Sequence, residues 1–266
     1  MKLVDISAEI DINSWEPEKI RRKFINHKEG ADKLGRSYLY FKVKKIWKIF
    51  FSKKYKITYK DFPDKHGLSQ MIYTLSTHTG THVDAPFHYG KKNNGDIPKT
   101  ITDLPLEYFY NDAVLVDFSN DNLLINKENL ITKLKEINYS IKKNDIILFY
   151  TGICKKIGTK EYFTKYRGIE ISAIKYLISL GVRVIGTDAF SFDPPFIKMI
   201  DDYKKYKDKS LLWPAHFYGR EEPYIQIERL SNLDKINRNY NFKVSCFPIK
   251  LKGADAAWCR AVALIE

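Results

Sequence analysis

His78, His82, Asp84 and His88, four side chains within eleven positions, are the residues of this chain best placed to do chemistry. They stand in Leu75-Ser76-Thr77-His78-Thr79-Gly80-Thr81-His82-Val83-Asp84-Ala85-Pro86-Phe87-His88 and take three of the six histidines among 266 residues. Neutral imidazole and carboxylate are ligands that a catalytic Zn²⁺ or Mn²⁺ accepts, in sites that keep one coordination position open for water. The chemistry they suggest is metal-assisted hydrolysis. A His-rich loop with satisfied hydrogen bonds is the plainer alternative.

Something must bring these side chains together. Glycine in the middle of the run, proline at its end and the many Thr and Ser argue against a helix, so the segment reads as extended chain. Alternate residues of an extended chain share a face, which places 78, 82 and 84 on one side. A straight strand would nevertheless hold His78 and His82 roughly 13 Å apart, too far for one ion. The chain is therefore expected to kink at Thr79-Gly80-Thr81, where glycine opens backbone angles closed to other residues. Thr79 and Thr81 are expected to satisfy backbone groups around that kink. Pro86 ends the strand and turns His88 back towards the site.

The run His78 to His88 resembles the signature of the cyclase family, His-x-Gly-Thr-His-x-Asp-x-Pro-x-His, at every fixed position. That family includes kynurenine formamidase and isatin hydrolase. Ile101-Thr102-Asp103-Leu104-Pro105-Leu106-Glu107, Val182-Arg183-Val184-Ile185-Gly186-Thr187-Asp188 and Trp258-Cys259-Arg260-Ala261-Val262-Ala263 resemble further family blocks in the same order. The likeness runs from about Leu68 to Ile265, with the opening strand Leu3–Ser7. It implies that His78, His82 and Asp84 bind one metal. It also implies that His216 and Glu228, twelve positions apart, hold a second with a bridging Asp84. Some relatives keep a single metal, so the cofactor expected is one or two ions of Zn²⁺ or Mn²⁺. Taken alone, His216 reads as a packed histidine and Glu228 as a solvated strand carboxylate. His88 matches the family's acid/base histidine; the other role open to it is orienting a ligand or water. The substrate class implied is an amide, aryl formamide or small cyclic amide, with lactone opening or closure as the alternative. A swivelling β/β/α fold and a dimer follow from the same resemblance.

Two further residues are candidates for substrate contact. Asp188 ends an apolar strand, where site residues often stand, although Asp also caps and turns there. Arg220, four residues after His216, can clamp a substrate carboxylate or pair with Glu221 or Glu222 at the surface.

Composition narrows the remaining classes. The length fits one large domain, here 1–266, and a hydrophobic content of 44% supports a real core. No run approaches the roughly eighteen apolar residues of a membrane helix. Charge at Lys2 and Asp5 argues against a leader, and Cys154, Cys246 and Cys259 are odd in number without zinc-finger spacing. The expectation is a reduced, cytoplasmic protein, with Cys259 in the core. The net charge of +13 invites a nucleic-acid reading, yet only nine of the 45 basic residues are Arg, the residue that reads bases. Neither nucleic acid nor membrane is expected as partner. The densest patch, Lys42 to Lys56, is expected to bury Ile46, Trp47, Ile49, Phe50 and Phe51 under a lysine fringe, with RNA or membrane contact as the alternative. Aromatic residues, 14% of the chain, can line a pocket for an aryl group. A metal-holding protein without catalysis and a basic surface-binding module are the competing classes.

Strands and helices alternate, which predicts an α/β fold with a mixed sheet core. Continuous apolar strands are expected at Ala113–Phe118 and Asp145–Tyr150. A helix capped by Asn126 should run to about Asn138, and a second over Ser172–Leu180 should be closed by Gly181. Strands Val182–Ile185, Tyr224–Glu228, Phe242–Pro248 and Ala256–Ile265 follow. Pro17 predicts a helix through Glu18–Ile25. That helix opens an N-terminal insertion of about residues 15–67, in which His27-Lys28-Glu29-Gly30 suggests a lid or pocket wall.

Overall fold

Runs of β-branched and apolar residues become the buried strands of one large sheet. In this computed structural model the described residues are 1–42, 57–92, 95–120 and 124–265. The expected burial of Ile46, Trp47, Ile49, Phe50 and Phe51 falls outside them. The strands are β1 (Lys2–Asp5), β2 (Arg21–Ile25), β3 (Gln70–Thr74), β4 (His82–Asp84), β5 (Tyr110–Asp117), β6 (Ile146–Tyr150), β7 (Val184–Thr187), β8 (Ile225–Glu228), β9 (Phe242–Ser245), β10 (Ala256–Trp258) and β11 (Val262–Ile265). The helices are α1 (His27–Lys42), α2 (Pro86–Tyr89), α3 (Lys127–Glu136), α4 (Lys160–Thr164), α5 (Ile171–Ser179), α6 (Phe196–Tyr206) and α7 (Pro214–Tyr218).

Nine strands form one mixed sheet in the order β1-β11-β9-β5-β6-β7-β8-β4-β10. The middle strands β5 to β8 are parallel and the flanking pairs antiparallel. Alternation along β5 sorts the core. Val114 and Val116 pack with Leu130 and Leu134 of α3 and Ala173, Ile174 and Leu177 of α5. Ala113 and Leu115 turn to the other face, towards Leu148, Ile227 and Val244. The Asn126 side chain accepts from the Asn129 amide at 2.9 Å and so caps α3. Gly181, at φ +88°, follows α5. The α/β class with a mixed sheet core is thus found as expected.

Two expectations fail. Ala256–Ile265 is not one strand: β10 pairs with β4, whereas β11 pairs with β9 and β1, near the opposite end of the sheet order. The short link Cys259–Ala261 spans at most roughly 14 Å between the flanking residues, so the sheet curls until its two ends approach. Glu18–Ile25 is not a helix either. Arg21–Ile25 is a strand paired in register with Gln70–Thr74. The helix begins only at His27, after Asn26, whose side chain accepts from the Glu29 amide at 3.0 Å. A capping box set nine residues beyond Pro17 therefore marks the helix start. His27-Lys28-Glu29-Gly30, where a lid or pocket wall was expected, is its first turn.

Packing divides the chain into two compact units, Met1–Pro17 with Ser76–Glu266, and Glu18–Leu75. The second, where the insertion was expected, has its own β2–β3 ribbon and α1, with Gly67 pressed against Ala31 and Gly30 against the Leu68 carbonyl.

Candidate metal centre

Residues 77–81 form a tight turn, and extended structure begins only at His82. The kink falls where expected. Gly80 has φ +71°, and a Cβ there would come within 2.8 Å of Ile10 Cγ1. The Thr81 hydroxyl donates to the Arg229 carbonyl at 2.5 Å and accepts from the Ala8 amide at 2.8 Å, so it pins the turn at its C-terminal end. Beyond it, β4 is buried between β8 and β10. Cross-strand register sets His82 opposite Glu228 and Trp258, and Asp84 opposite Gln226 and Ala256. Pro86 then opens α2, which returns His88 until its ring centroid lies 4.3 Å from that of His78 and 5.3 Å from that of His216.

His216 comes from α7. The Asp193 carboxylate holds the start of this helix, accepting from the Ala215 amide at 2.5 Å and the His216 amide at 3.4 Å. It also accepts from the His216 ring at Nδ1. His78, His82 and His216 are each oriented in this way through the outer nitrogen. His78 Nε2 donates to Asp255 at 3.1 Å and His82 Nδ1 to the Gly80 carbonyl at 2.9 Å. Because each of these partners is an oxygen acceptor, the tautomers are assigned with the protons on the outer nitrogens. In the neutral rings the inner nitrogens, His78 Nδ1, His82 Nε2 and His216 Nε2, are then the lone-pair donors.

Those lone pairs converge. His78 Nδ1 lies 3.1 Å from His82 Nε2, and the two stand 3.0 and 3.3 Å from Asp84 Oδ1. Ligands at tetrahedral corners around Zn²⁺ sit roughly 3.4 Å apart. The other Asp84 oxygen, Oδ2, faces His216 Nε2 at 3.8 Å, and Glu228 Oε1 is 3.8 Å from the same nitrogen. Glu228 Oε2 lies 3.6 Å from His82 Nε2, which sets Glu228 between the two groups. Asp84 is fully buried, yet among the described residues neither carboxylate oxygen has a hydrogen-bond partner. Inward-facing nitrogens and a buried anion are stable together only with positive charge between them, carried either by protons on the imidazoles or by a bound cation. The donor set of imidazoles and carboxylates suits a divalent cation such as Zn²⁺ or Mn²⁺. Within 4.8 Å of one another lie donor atoms of His78, His82 and Asp84, and likewise of Asp84, His88 and His216.

Electrostatics point the same way. Burial opposes charging of His78, but the Asp255 and Asp84 carboxylates outweigh it and raise its pKa to about 10. His216 is raised by Asp193 and Asp84 despite complete burial. Asp84 is held well below the usual carboxylate range: burial works against this, and His82 and the other imidazoles prevail. Glu228 is pushed up by burial and by the neighbouring Asp84 charge. A field that draws protons onto imidazoles this strongly also favours a bound cation.

The two other candidates are engaged elsewhere. Asp188 is completely buried and serves the scaffold. Its Oδ1 accepts from the Thr151 amide at 2.8 Å and hydroxyl at 2.7 Å, and its Oδ2 from the Cys154 amide at 3.3 Å. Both oxygens thus tie the end of β7 to the turn after β6, and the substrate-contact role expected for Asp188 gives way to the capping role. Arg220 is exposed. Its guanidinium lies 3.5 Å from the Phe217 ring centroid and its Nε donates to the Tyr89 carbonyl, bracing the chain just after His88.

Sequence reasoning missed Asp193 and Asp255, the carboxylates that orient His216 and His78. Asp255 also accepts from Thr77 Oγ1 at 3.2 Å and stands 3.6 Å from His88 Nδ1. The available signal was slight: an acidic residue between a glycine turn and an apolar strand, and one ahead of two prolines. An apolar cavity of about 450 Å³ is lined by Trp15, Phe163, Phe190, Phe196 and Trp213 among others. Its wall includes Ser191, in the loop whose Phe192 amide donates to Glu228 Oε1 at 3.1 Å.

Comparison with known proteins sets this geometry in context. Residues 4–194 match the family model described as putative cyclase. The kynurenine formamidase of Geobacillus thermodenitrificans is 31% identical over 189 residues, covering 71% of this chain and 76% of the relative. That of Maricaulis maris is 29% identical over 191 residues, covering 71% and 77%. Among solved structures, isatin hydrolase A from Labrenzia aggregata bound to benzyl benzoate superposes with a TM-score of 0.70 at 19% identity, covering 99% of this chain and 93% of that one. A protein of Bacillus stearothermophilus described as a predicted metal-dependent hydrolase gives 0.61 at 18% identity, covering 100% and 98%. The likeness to solved structures is one of fold.

Proposed function

Since this chain belongs to the cyclase family, we propose that it is a metal-dependent amidohydrolase that opens an aryl formamide or a small cyclic amide. The observation that carries the reading is Asp84, fully buried, its two oxygens facing the inner ring nitrogens of three histidines from three different elements. His78, His82 and Asp84 would hold one ion, Zn²⁺ or Mn²⁺, and His216, Glu228 and Asp84 a second. A cation there supplies an acidified water and a Lewis acid for the carbonyl.

The chain's own residues do the rest. Asp193, Asp255 and the Gly80 carbonyl keep each ligand imidazole in its tautomer. His88 is partly open to solvent, with a side chain 30% exposed, and stands beside both ligand groups. In this reading it takes a proton from the attacking water and returns it to the leaving nitrogen. The products are a carboxylate and an amine. Asp255, near His88 Nδ1, steadies the protonated ring. The aromatic cavity accepts the aryl group. The same reading includes a small-molecule substrate, a dimer and a cytoplasmic compartment. All three cysteines are buried and unpaired, and no helix among the described residues is long and apolar enough to cross a membrane.

The test is turnover of formanilides, isatin and small lactones before and after chelation. Hydrolysis of an aryl formamide or cyclic amide that stops with chelator and returns with Zn²⁺ or Mn²⁺ is expected. Turnover untouched by chelation contradicts the proposal, and turnover of lactones alone moves it to ring-ester chemistry.

A further inference from the structure

Arg229 follows Glu228 directly, at the end of β8, and its side chain has no part in the centre as described so far. Its backbone is left-handed, with φ +62°, a conformation a residue with a Cβ rarely takes without compensation. The side chain is buried, 3% exposed, and forms an ion pair with Glu16. Three rings surround the guanidinium, those of Tyr162, Phe163 and Phe190, with centroids at 5.8, 5.3 and 5.8 Å. A buried cation this size is costly unless its contacts matter. Two of its bonds are to the metal-binding turn. Nη1 donates to the His78 carbonyl at 3.3 Å, and the Arg229 carbonyl accepts from Thr81 Oγ1 at 2.5 Å. One residue therefore grips the turn at His78 and at Thr81, while adjoining the Glu228 ligand.

We propose that Arg229, with Glu16 as counter-charge, is a positioning residue that fixes the His78 imidazole relative to Asp84 and Glu228. This rests on the reading of the cluster as a metal centre. The planar fork is what the role needs: one arm reaches Glu16 and the other the His78 carbonyl, a geometry that a lysine ammonium does not reproduce. Phe163 and Phe190 also line the aromatic cavity, so the guanidinium is packed between that wall and the turn.

The variants to compare are Arg229→Gly, Arg229→Lys and Glu16→Gln. Glycine suits the left-handed backbone and keeps the main-chain bonds to Thr81 and Ala189, deleting only the side chain. Zn²⁺ affinity is read by chelator competition, and ligand geometry by the visible absorption of the Co²⁺-loaded protein. We expect both Arg229 variants to lose roughly 10- to 100-fold in Zn²⁺ affinity and to show a changed Co²⁺ spectrum. Lysine should fail to restore either, and Glu16→Gln should produce a smaller change in the same direction. Wild-type affinity and spectrum in Arg229→Gly, or full rescue by lysine, overturns the proposal while leaving the metal centre standing. A wild-type chain that takes up neither ion overturns the metal reading and the proposal with it.

Discussion

At the scale of single residues, the centre separates those that would hold a cation from those that aim them. Asp84 does the first, since its two oxygens face opposite groups of imidazoles. Asp255 does the second for His78. Asp255→Asn should lower metal affinity by roughly 10- to 100-fold while the protein stays folded, as checked by chelator competition; unchanged affinity would remove Asp255 from this role. His88 is open to a different test, because the reading assigns it proton transfer and not ligation. His88→Gln should cut kcat by about 10²- to 10⁴-fold with metal content unchanged. Loss of metal in that variant would recast His88 as a ligand, a result its proximity to Asp84 and His216 makes worth measuring.

At the scale of elements, three strands and two short helices do the positioning. Gly80 makes the turn possible, and Gly80→Ala both strains a φ of +71° and drives a methyl against Ile10. The conformational part alone costs about 1–2 kcal/mol, so urea unfolding should show at least that loss. Much of this was legible. The continuous apolar run of β5, the Asn126 cap and the His78–His88 spacing all act locally, and local physics placed them. What could not be read was set by partners distant in sequence. Asp255 is 177 residues from His78, and only the β10–β4 register reveals that they meet. Pro17 suggested a helix because proline favours helix starts, but pairing with Gln70–Thr74 made Arg21–Ile25 a strand. The break between β10 and β11 likewise follows from two different pairing partners, invisible in a run that reads as uniformly apolar.

At the scale of the whole molecule, the centre should govern how stability depends on pH. In the metal-free protein His78 has a pKa of about 10 against an ordinary 6.5. A raised folded-state value means that its contribution is fully present below about pH 6.5 and is lost as pH rises towards 10. The chelated protein should therefore lose Tm over that interval. Metal binding needs unprotonated nitrogens and strengthens over the same range. The gap in Tm between metal-loaded and chelated protein should accordingly widen from pH 6 to pH 9 in thermal melts, and a constant gap would contradict the linkage. The most direct test of the central claim is metal content per chain, measured on wild type and on Asp84→Ala after both are equilibrated with Zn²⁺ and desalted. One or two ions should be bound by the wild-type chain and almost none by the variant. Equal content in the two, or none in either, would contradict it.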